Sequence, residues 1–282
     1  MFEGKKLICP ISGSTKFSKI FTIRKFPIYM GVVNKSKRFE FKQLTFNINK
    51  SSGSVQIHPK VPLKKLYFKP HGSGTVGMTW KNHHSSFFKF LNKDFKNLVI
   101  EIGGGHNSVS ESIGLSGFKK DYKLISFDPN GKKYSNPNHF IVKDFFSKKY
   151  VKKYKDKISL VIHSHLFEHI YDPNNFLTDI NNSLKIGGLH IFSVPNLKFM
   201  IKNGYSNAMN FEHPYFLEES MIDYLLKKNG FKILKKRKYL NHSIFYKTKK
   251  ITNNPKKINV YRKFEINKRL FKDYYRNLKK DI

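Results

Sequence analysis

Apolar residues in the middle of the chain come in short runs, without long alternating or heptad stretches. Leu98-Val99-Ile100-Glu101-Ile102, Leu124-Ile125-Ser126-Phe127-Asp128, Phe140-Ile141-Val142, Ile158-Ser159-Leu160-Val161-Ile162 and Leu189-His190-Ile191-Phe192-Ser193-Val194 each read as a buried strand. Runs apolar on both faces suit parallel strands covered on two sides by helices. Between the last two runs Asp172 can cap a helix and Pro173 suits its first position. Phe176, Ile180 and Leu184 then recur at helical spacing, and Gly187-Gly188 is expected to stop that helix. Strand–helix alternation predicts an α/β architecture, a parallel sheet with helices on both faces.

The flanks read differently. Residues 1–68 lack helical periodicity, carry strand-like fragments such as Phe39–Phe46 and a turn at Ser51-Ser52-Gly53-Ser54, and predict a small β-rich module. Residues 69–96 form a linking segment, with a helix expected over 76–95 from Trp80, Phe87, Phe88, Phe90 and Leu91. The sheet domain spans 97–246. Its late part holds an amphipathic helix over Phe216–Leu226 stopped by Gly230, and a closing pair of strands at Phe231–Leu234 and His242–Tyr246. From 247 to 282 there are 13 Lys or Arg against Glu265, Asp273 and Asp281, and Val260, Phe264, Phe271, Tyr275 and Leu278 fall roughly on one helical face. This basic amphipathic tail is either a helix packed on the body with its lysines in water, or a surface for a membrane or a partner.

The chemistry concentrates at the ends of the first strands. Gly103-Gly104-Gly105 frees the backbone to turn sharply and lets a ligand sit against main chain. Asp128 follows where the second strand of a nucleotide-binding βαβ unit ends, and a carboxylate there can accept hydrogen bonds from both ribose hydroxyls. The third glycine of a dinucleotide fingerprint is missing. Glu101-Ile102-Gly103-Gly104-Gly105, with its acid two positions before the glycines, instead resembles motif I of class I S-adenosylmethionine (SAM)-dependent methyltransferases. The resemblance implies a Rossmann-like sheet with SAM as cofactor. It places Glu101 towards the methionine end, Gly103 and Gly105 under the cofactor, Asp128 on the ribose, Asp144 by the adenine amino group and Phe145 beside the ring.

The order of further motifs is similar to that of the sugar C-methyltransferase family, which methylates a carbon of a nucleotide-linked deoxyhexose ketone. Leu66-Tyr67-Phe68, Ser73-Gly74-Thr75, the His83-His84 region, Leu166-Phe167-Glu168-His169 and Asn210-Phe211-Glu212-His213-Pro214-Tyr215-Phe216 follow that family's sequence of landmarks, and Asn241-His242-Ser243 falls at its histidine-glycine turn. The resemblance implies a small, sugar-derived substrate, with His213 as the base and Glu212 orienting it or polarising the site. His165 is a secondary candidate, as is His169, which is expected chiefly to support the fold; His242 is a candidate pocket wall. The family's N-terminal module holds zinc on two CxxC pairs. Here Cys9, Ser12, Asn49 and Ser52 stand at those positions, and hydroxyls and an amide bind zinc far less well than thiolate, so no structural zinc is expected. His106-Asn107 departs from motif I, and the family's second α/β domain has no counterpart in this sequence, so the substrate's identity does not carry over.

Composition narrows the alternatives. The chain has 282 residues, 39% hydrophobic, including 27 phenylalanines, enough for a substantial core. No apolar run is long enough for a membrane span and the start lacks an apolar signal core, so a cytoplasmic location is expected. Cys9 is the only cysteine, which excludes an intrachain disulfide. A net charge of +35 invites anionic partners, but arginine occurs only at Arg24, Arg38, Arg237, Arg262, Arg269 and Arg276. Lysine lacks the planar fork that specific nucleic-acid sites favour, so nucleic acid is a less favoured partner than a small molecule. Pyrimidine C5 methylation needs a cysteine in the sheet domain, and base amino-methylation an Asp/Asn-Pro-Pro-aromatic run after the fourth strand; neither is present. RNA methylation at other atoms and a non-catalytic interaction role remain as alternatives, and the oligomeric state is left open.

Overall fold

The computed structural model describes residues 7–29, 40–67, 77–105, 108–115, 121–132, 135–252 and 261–279. His106, Asn107, Phe68, Ser73, Gly74, Thr75 and Val260, singled out above, lie outside them. Three strands, β1 (Phe17–Pro27), β2 (Phe41–Asn49) and β3 (Val55–His58), form an antiparallel sheet in that order. A single turn α1 (Leu63–Leu66) and the helix α2 (Met78–Leu91) lead into a second sheet. Its elements in chain order are β4 (Asn97–Ile102), α3 (Ser108–Leu115), β5 (Tyr122–Phe127), β6 (His139–Val142), α4 (Lys148–Lys153), β7 (Ile158–Ser164), α5 (Pro173–Ser183), β8 (Leu184–Pro195), α6 (Leu197–Lys202), α7 (Glu219–Lys228), β9 (Phe231–Tyr239) and β10 (Ser243–Lys250). The helix α8 (Phe264–Leu278) follows.

Seven strands line up as β6-β5-β4-β7-β8-β10-β9. The five strands β4 to β8 pair in parallel, as expected, and the closing pair makes the sheet mixed, with β10 antiparallel to both β8 and β9. The two-residue side-chain period sorts the strands onto two layers. Val99, Leu124, Leu160, Ile162, Ile191 and Phe245 pack with Phe87, Phe88 and Leu91 of α2. Ile100, Ile125, Val161, Phe192 and Tyr246 face the opposite way and join a core containing Leu177 and Ile180 of α5 and Ile222 and Leu225 of α7. Each such buried side chain contributes about 1.5–3 kcal/mol relative to exposure.

Two boundaries differ from the sequence reading for a physical reason. The helix α5 begins as expected, with Asp172 accepting from the Asn175 N–H at 3.0 Å and Pro173 at its first position, but it ends at Ser183, not at the glycines. Leu184 pairs at once with Ile158 of β7, so strand pairing takes over the chain and Gly187-Gly188 lie inside β8. Gly187 adopts φ +76 where the β7–β8 register shifts, a bulge that suits glycine. The closing strands β9 and β10 run longer than their apolar cores. Lysines at 232, 235, 236 and 238 extend β9 along the sheet edge, a charged edge that resists pairing with other chains.

The small sheet and α8 pack as one unit. Phe46 and Phe21 stack at 4.2 Å, Phe21 stacks on Tyr275 at 4.4 Å, and Phe271, Tyr274 and Leu278 are buried against them, while Arg262, Arg269, Lys272, Arg276 and Lys279 are exposed. The tail helix thus covers the body with its basic face in water. Its start is fixed by buried Asn267, which donates to the Gly53 carbonyl at 2.9 Å, and by the Lys263 N–H, which donates to the Ser52 carbonyl. Gly53 has φ +78, and a Cβ there would lie 2.3 Å from the Phe264 nitrogen. Gly53→Ala combines left-handed strain with a backbone clash and is expected to cost about 2–4 kcal/mol in denaturant unfolding. An unchanged midpoint would show that α8 does not depend on this contact.

The same small sheet reaches the second half of the chain. The Ile57 N–H donates to the Pro214 carbonyl and the Phe216 N–H to the Val55 carbonyl, both at 3.0 Å, so residues 214–216 add to the free edge of β3. The segment Asn210–Phe216 is therefore held by main-chain bonds to residues more than 150 positions earlier. No helix among the described residues is long and apolar enough to cross a membrane.

Candidate active site

The glycine turn, Asp128 and Asp144 meet at the carboxyl ends of β4, β5 and β6. The Gly103 N–H donates to the Phe127 carbonyl at 2.8 Å and the Gly105 N–H to Asp128 Oδ2 at 2.9 Å, which ties the turn to the end of the neighbouring strand. The side chain of Leu166 lies within 3.3 Å of where a Gly103 Cβ would sit, and a Cβ on Gly105 would meet Asp128 Oδ2 at 2.6 Å. Asp128 also accepts from the Asn130 N–H at 2.7 Å. Asp144 accepts from the Tyr150 hydroxyl and from the Phe145 N–H, each at 2.8 Å, and the Phe145 ring stands exposed beside it. Phe146 instead packs edge-on against Phe127, so it belongs to the core beneath.

Glu101 is placed differently from the other two acids. It is buried behind the glycine turn, 2.3 Å from where a Gly104 Cβ would lie, and accepts from the Ser126 hydroxyl at 2.6 Å; Ser126 also touches His139 Nε2 at 2.7 Å. Burial pushes the Glu101 carboxyl up to about 7 and the His139 imidazole down to about 4. Glu101 therefore supports the turn from inside, and its proton has a thermodynamic consequence. Between an ordinary 4.5 and about 7 the unfolded chain loses this proton while the folded chain keeps it. Stability falls as pH rises through that window, by about 3 kcal/mol, and levels off above it. Glu101→Gln is expected to flatten the slope in urea unfolding compared at pH 5 and 8; an unaltered slope would assign it to other groups.

A second constellation lies beyond β7. His165 leaves that strand with φ +49, left-handed backbone rare for a residue other than glycine, its N–H held by the Ser193 carbonyl at 3.0 Å. Its ring touches Ser243 Oγ at 2.8 Å and lies 3.5 Å from the buried Glu168 carboxylate. Glu168 Oε1 is also 4.0 Å from His169 Nε2. The rings of His169 and His213 meet edge to face at 4.7 Å, Tyr67 hydrogen-bonds His169 Nδ1 at 2.8 Å, and Glu212 Oε2 is 4.0 Å from the same nitrogen. Burial raises Glu168 to about 8 and lowers His213 below its usual range. The loop is shaped by Asn210, whose Oδ1 accepts from the Glu212 N–H at 2.7 Å and the His213 N–H at 3.1 Å. His213 Nδ1 lies 3.2 Å from the Ala208 carbonyl. A carbonyl only accepts, so Nδ1 carries the hydrogen and Nε2 keeps its lone pair.

The residues singled out from sequence thus fall into two groups, Asp128, Asp144, Phe145 and the glycines at one place, and His165, His169, Glu212 and His213 at another further along the same edge. Glu168 and Tyr67 join the second group although only their neighbours drew attention. Both sit within quoted motifs, but a single acid in a polar loop and a single tyrosine carry no periodic signal.

The four positions of the family's zinc module also converge. Ser12 Oγ and Ser52 Oγ donate to Asn49 Oδ1 at 3.1 and 3.2 Å, and Cys9 Sγ touches Ser52 Oγ at 3.2 Å and Ser54 Oγ at 3.0 Å. One thiol, two hydroxyls and an amide do not fit a structural zinc ion, and these side chains satisfy one another by hydrogen bonding.

Comparison with curated protein sequences gives no match. Among solved structures, a SAM-dependent methyltransferase from Aquifex aeolicus is similar over 58% of this chain and 89% of its own, at 13% identity and a TM-score of 0.47. A SAM-dependent methyltransferase from Archaeoglobus fulgidus is similar over 60% and 94%, at 16% identity and 0.45. Magnesium protoporphyrin IX methyltransferase from Synechocystis, solved with bound S-adenosylhomocysteine, is similar over 64% and 90%, at 15% identity and 0.47. The family model described as a methyltransferase domain matches residues 83–236, which is more than half of the chain and includes the glycine turn, Asp128, Asp144 and Glu212-His213. The chain belongs to the methyltransferase-domain family.

Proposed function

We propose that this protein transfers the methyl group of SAM to a small, sugar-derived acceptor such as a nucleotide-sugar or a surface-polysaccharide precursor. The observation that carries the reading is the pair of carboxylates, Asp128 and Asp144, at the ends of adjacent strands beside a glycine turn. These residues fit the cofactor: the glycine turn holds Asp128 at the strand end, Asp128 keeps lone pairs for the ribose hydroxyls, and Asp144 with Phe145 suits the adenine amino group and ring. Glu101 stands towards the methionine end and acts through the turn that it supports. The cofactor supplies an activated methyl on a sulfonium, so the protein's task is to align the acceptor and to remove its proton.

His213 is the residue proposed to take that proton. Its Nε2 lone pair is available, and its backbone is held by Asn210 and by the pairing of residues 214–216 with β3. Glu212 beside it orients the acceptor or polarises the site. The Glu212-His213 pair and the convergence of Cys9, Ser12, Asn49 and Ser52 support the sugar C-methyltransferase reading over other branches of the family. The surplus of lysine suits a negatively charged acceptor, and a diphosphate-linked sugar is one.

Incubation with methyl-labelled SAM and a panel of sugar nucleotides tests this. Label is expected in a sugar nucleotide. Label in RNA, with an RNA affinity that falls steeply with salt, would overturn the acceptor class, and absence of SAM binding would overturn the enzyme reading.

A further inference from the structure

From the geometry we propose that His83, His165 and His242 form a binding site for a divalent metal ion of the zinc class, which takes His165, the secondary base candidate, as a ligand. The three imidazoles come from separate elements: His83 from α2, His165 from the end of β7, and His242 from the turn before β10. One nitrogen of each lies within 4.8 Å of the others, and the ring centroids are 5.0 to 5.3 Å apart. A tetrahedral ion needs only a modest closing of that triangle.

The second observation is His83 itself. The residue is fully buried, and neither ring nitrogen has a hydrogen-bond partner. Buried imidazole nitrogens are as a rule paired, and here both sit among Trp80, Phe87, Tyr239 and Phe245, none of which offers one a partner. The imidazoles that His83 meets are those of His165, His242 and its helix neighbour His84. Packing alone would be served as well by phenylalanine at this position; a ligand role needs the nitrogen.

The surroundings have the parts of a metal site. Ser243 Oγ touches both His165 Nε2 and His242 Nδ1, at 2.8 and 2.5 Å, and draws the two rings together; on binding, His165 Nε2 exchanges this bond for the ion while Nδ1 stays towards Glu168. Glu168 lies 3.5 Å from His165 Nδ1, the position of an outer carboxylate that orients a ligating imidazole, and its other oxygen, Oε2, is buried without a partner. Trp80 stands edge-on against His83, His165 and His242 and shields one side from water. His165 and His242 are only half-buried, so the ion would keep one position for water or another small ligand. Three neutral nitrogens with an open fourth position suit zinc or a neighbouring transition metal over magnesium or calcium, which prefer oxygen.

The test uses the full chain, freed of metal with a chelator and titrated with Zn2+ by calorimetry, and with Co2+ followed by visible absorption. One Zn2+ per chain is expected, together with the intense visible bands of a tetrahedral Co2+ site that Zn2+ displaces, and a rise in melting temperature with added Zn2+. Glu168→Gln is expected to weaken binding roughly 10–100-fold, and His242→Ala to weaken it by more than that. His83→Phe keeps the packing and removes the nitrogens, so it should fold and melt cooperatively yet no longer respond to metal. The proposal is overturned if the unaltered chain binds Zn2+ no more tightly than the His83→Phe/His242→Ala double variant. It is also overturned if binding survives His242→Ala and is lost in His169→Ala, which would assign the ion to Glu168, His169 and His213 instead.

Discussion

Asp128→Ala is expected to abolish measurable SAM binding, with a loss of affinity of roughly 100-fold or more in calorimetry. Two effects combine. On the proposed reading the carboxylate accepts from the ribose hydroxyls, and hydrogen bonds to a charged partner contribute about 1.5–3 kcal/mol each. Two of them correspond to a factor of about 100 to 10,000. The second effect is internal. Asp128 already holds the Gly105 and Asn130 N–H groups, so its removal releases the glycine turn as well. Asp128→Asn separates the two: the amide oxygen can still accept from Gly105, but the charge is gone. Its affinity should fall between those of the parent and the alanine variant. Affinity unchanged in both would place the cofactor elsewhere and remove the basis of the enzyme reading.

The layers of this fold were legible because each buried strand writes itself as a short apolar run, and because Asp172-Pro173 marks a helix start without ambiguity. What stayed hidden depends on pairing between distant segments. The reversal of β10 has no local signature: Ile244, Phe245 and Tyr246 look alike in either direction. Gly187-Gly188 reads as a helix stop, yet the β7 edge captures the chain three residues before Gly187, at Leu184. The lysine-rich half of β9 carries no strand signal in the sequence, because an exposed edge strand needs no apolar face. The site divides along the same line. That Asp128, Asp144 and the glycines stand at neighbouring strand ends could be read from spacing along the sequence. The burial of Glu101, the inward turn of Glu168 and the meeting of His83 with His165 and His242 arise from three-dimensional packing, and no spacing encodes them.

That packing also explains why the small β sheet matters to chemistry carried by the large one. Its edge strand β3 bonds main chain to main chain with Pro214 and Phe216, immediately after the proposed base. Main-chain pairing fixes the backbone at His213 whatever side chain stands there. Within that sheet a mutual hydrogen-bond cluster joins Cys9, Ser12, Asn49 and Ser52, and Phe46 packs against Phe271 of α8.

His213→Ala consequently offers a clean separation of binding from turnover. The side chain is removed, while the Asn210 Oδ1 bonds to the Glu212 and His213 N–H groups and the main-chain pairing of 214–216 with β3 do not involve it and stay. The substituted chain should fold, and its SAM affinity should remain within about twofold, because Asp128, Asp144 and the glycine turn are untouched. Methyl transfer should fall by roughly 100- to 10,000-fold, the range that a positioned general base contributes. A base and a loop support can be told apart by rescue. If His213 takes the proton, added imidazole should restore part of the turnover in the His213→Ala variant, because the small base can occupy the space left and do the same work. If the ring only props the loop against His169 and the Ala208 carbonyl, imidazole should restore nothing. Turnover within tenfold of the parent would remove His213 from the chemistry altogether and leave the acceptor to be deprotonated by another group.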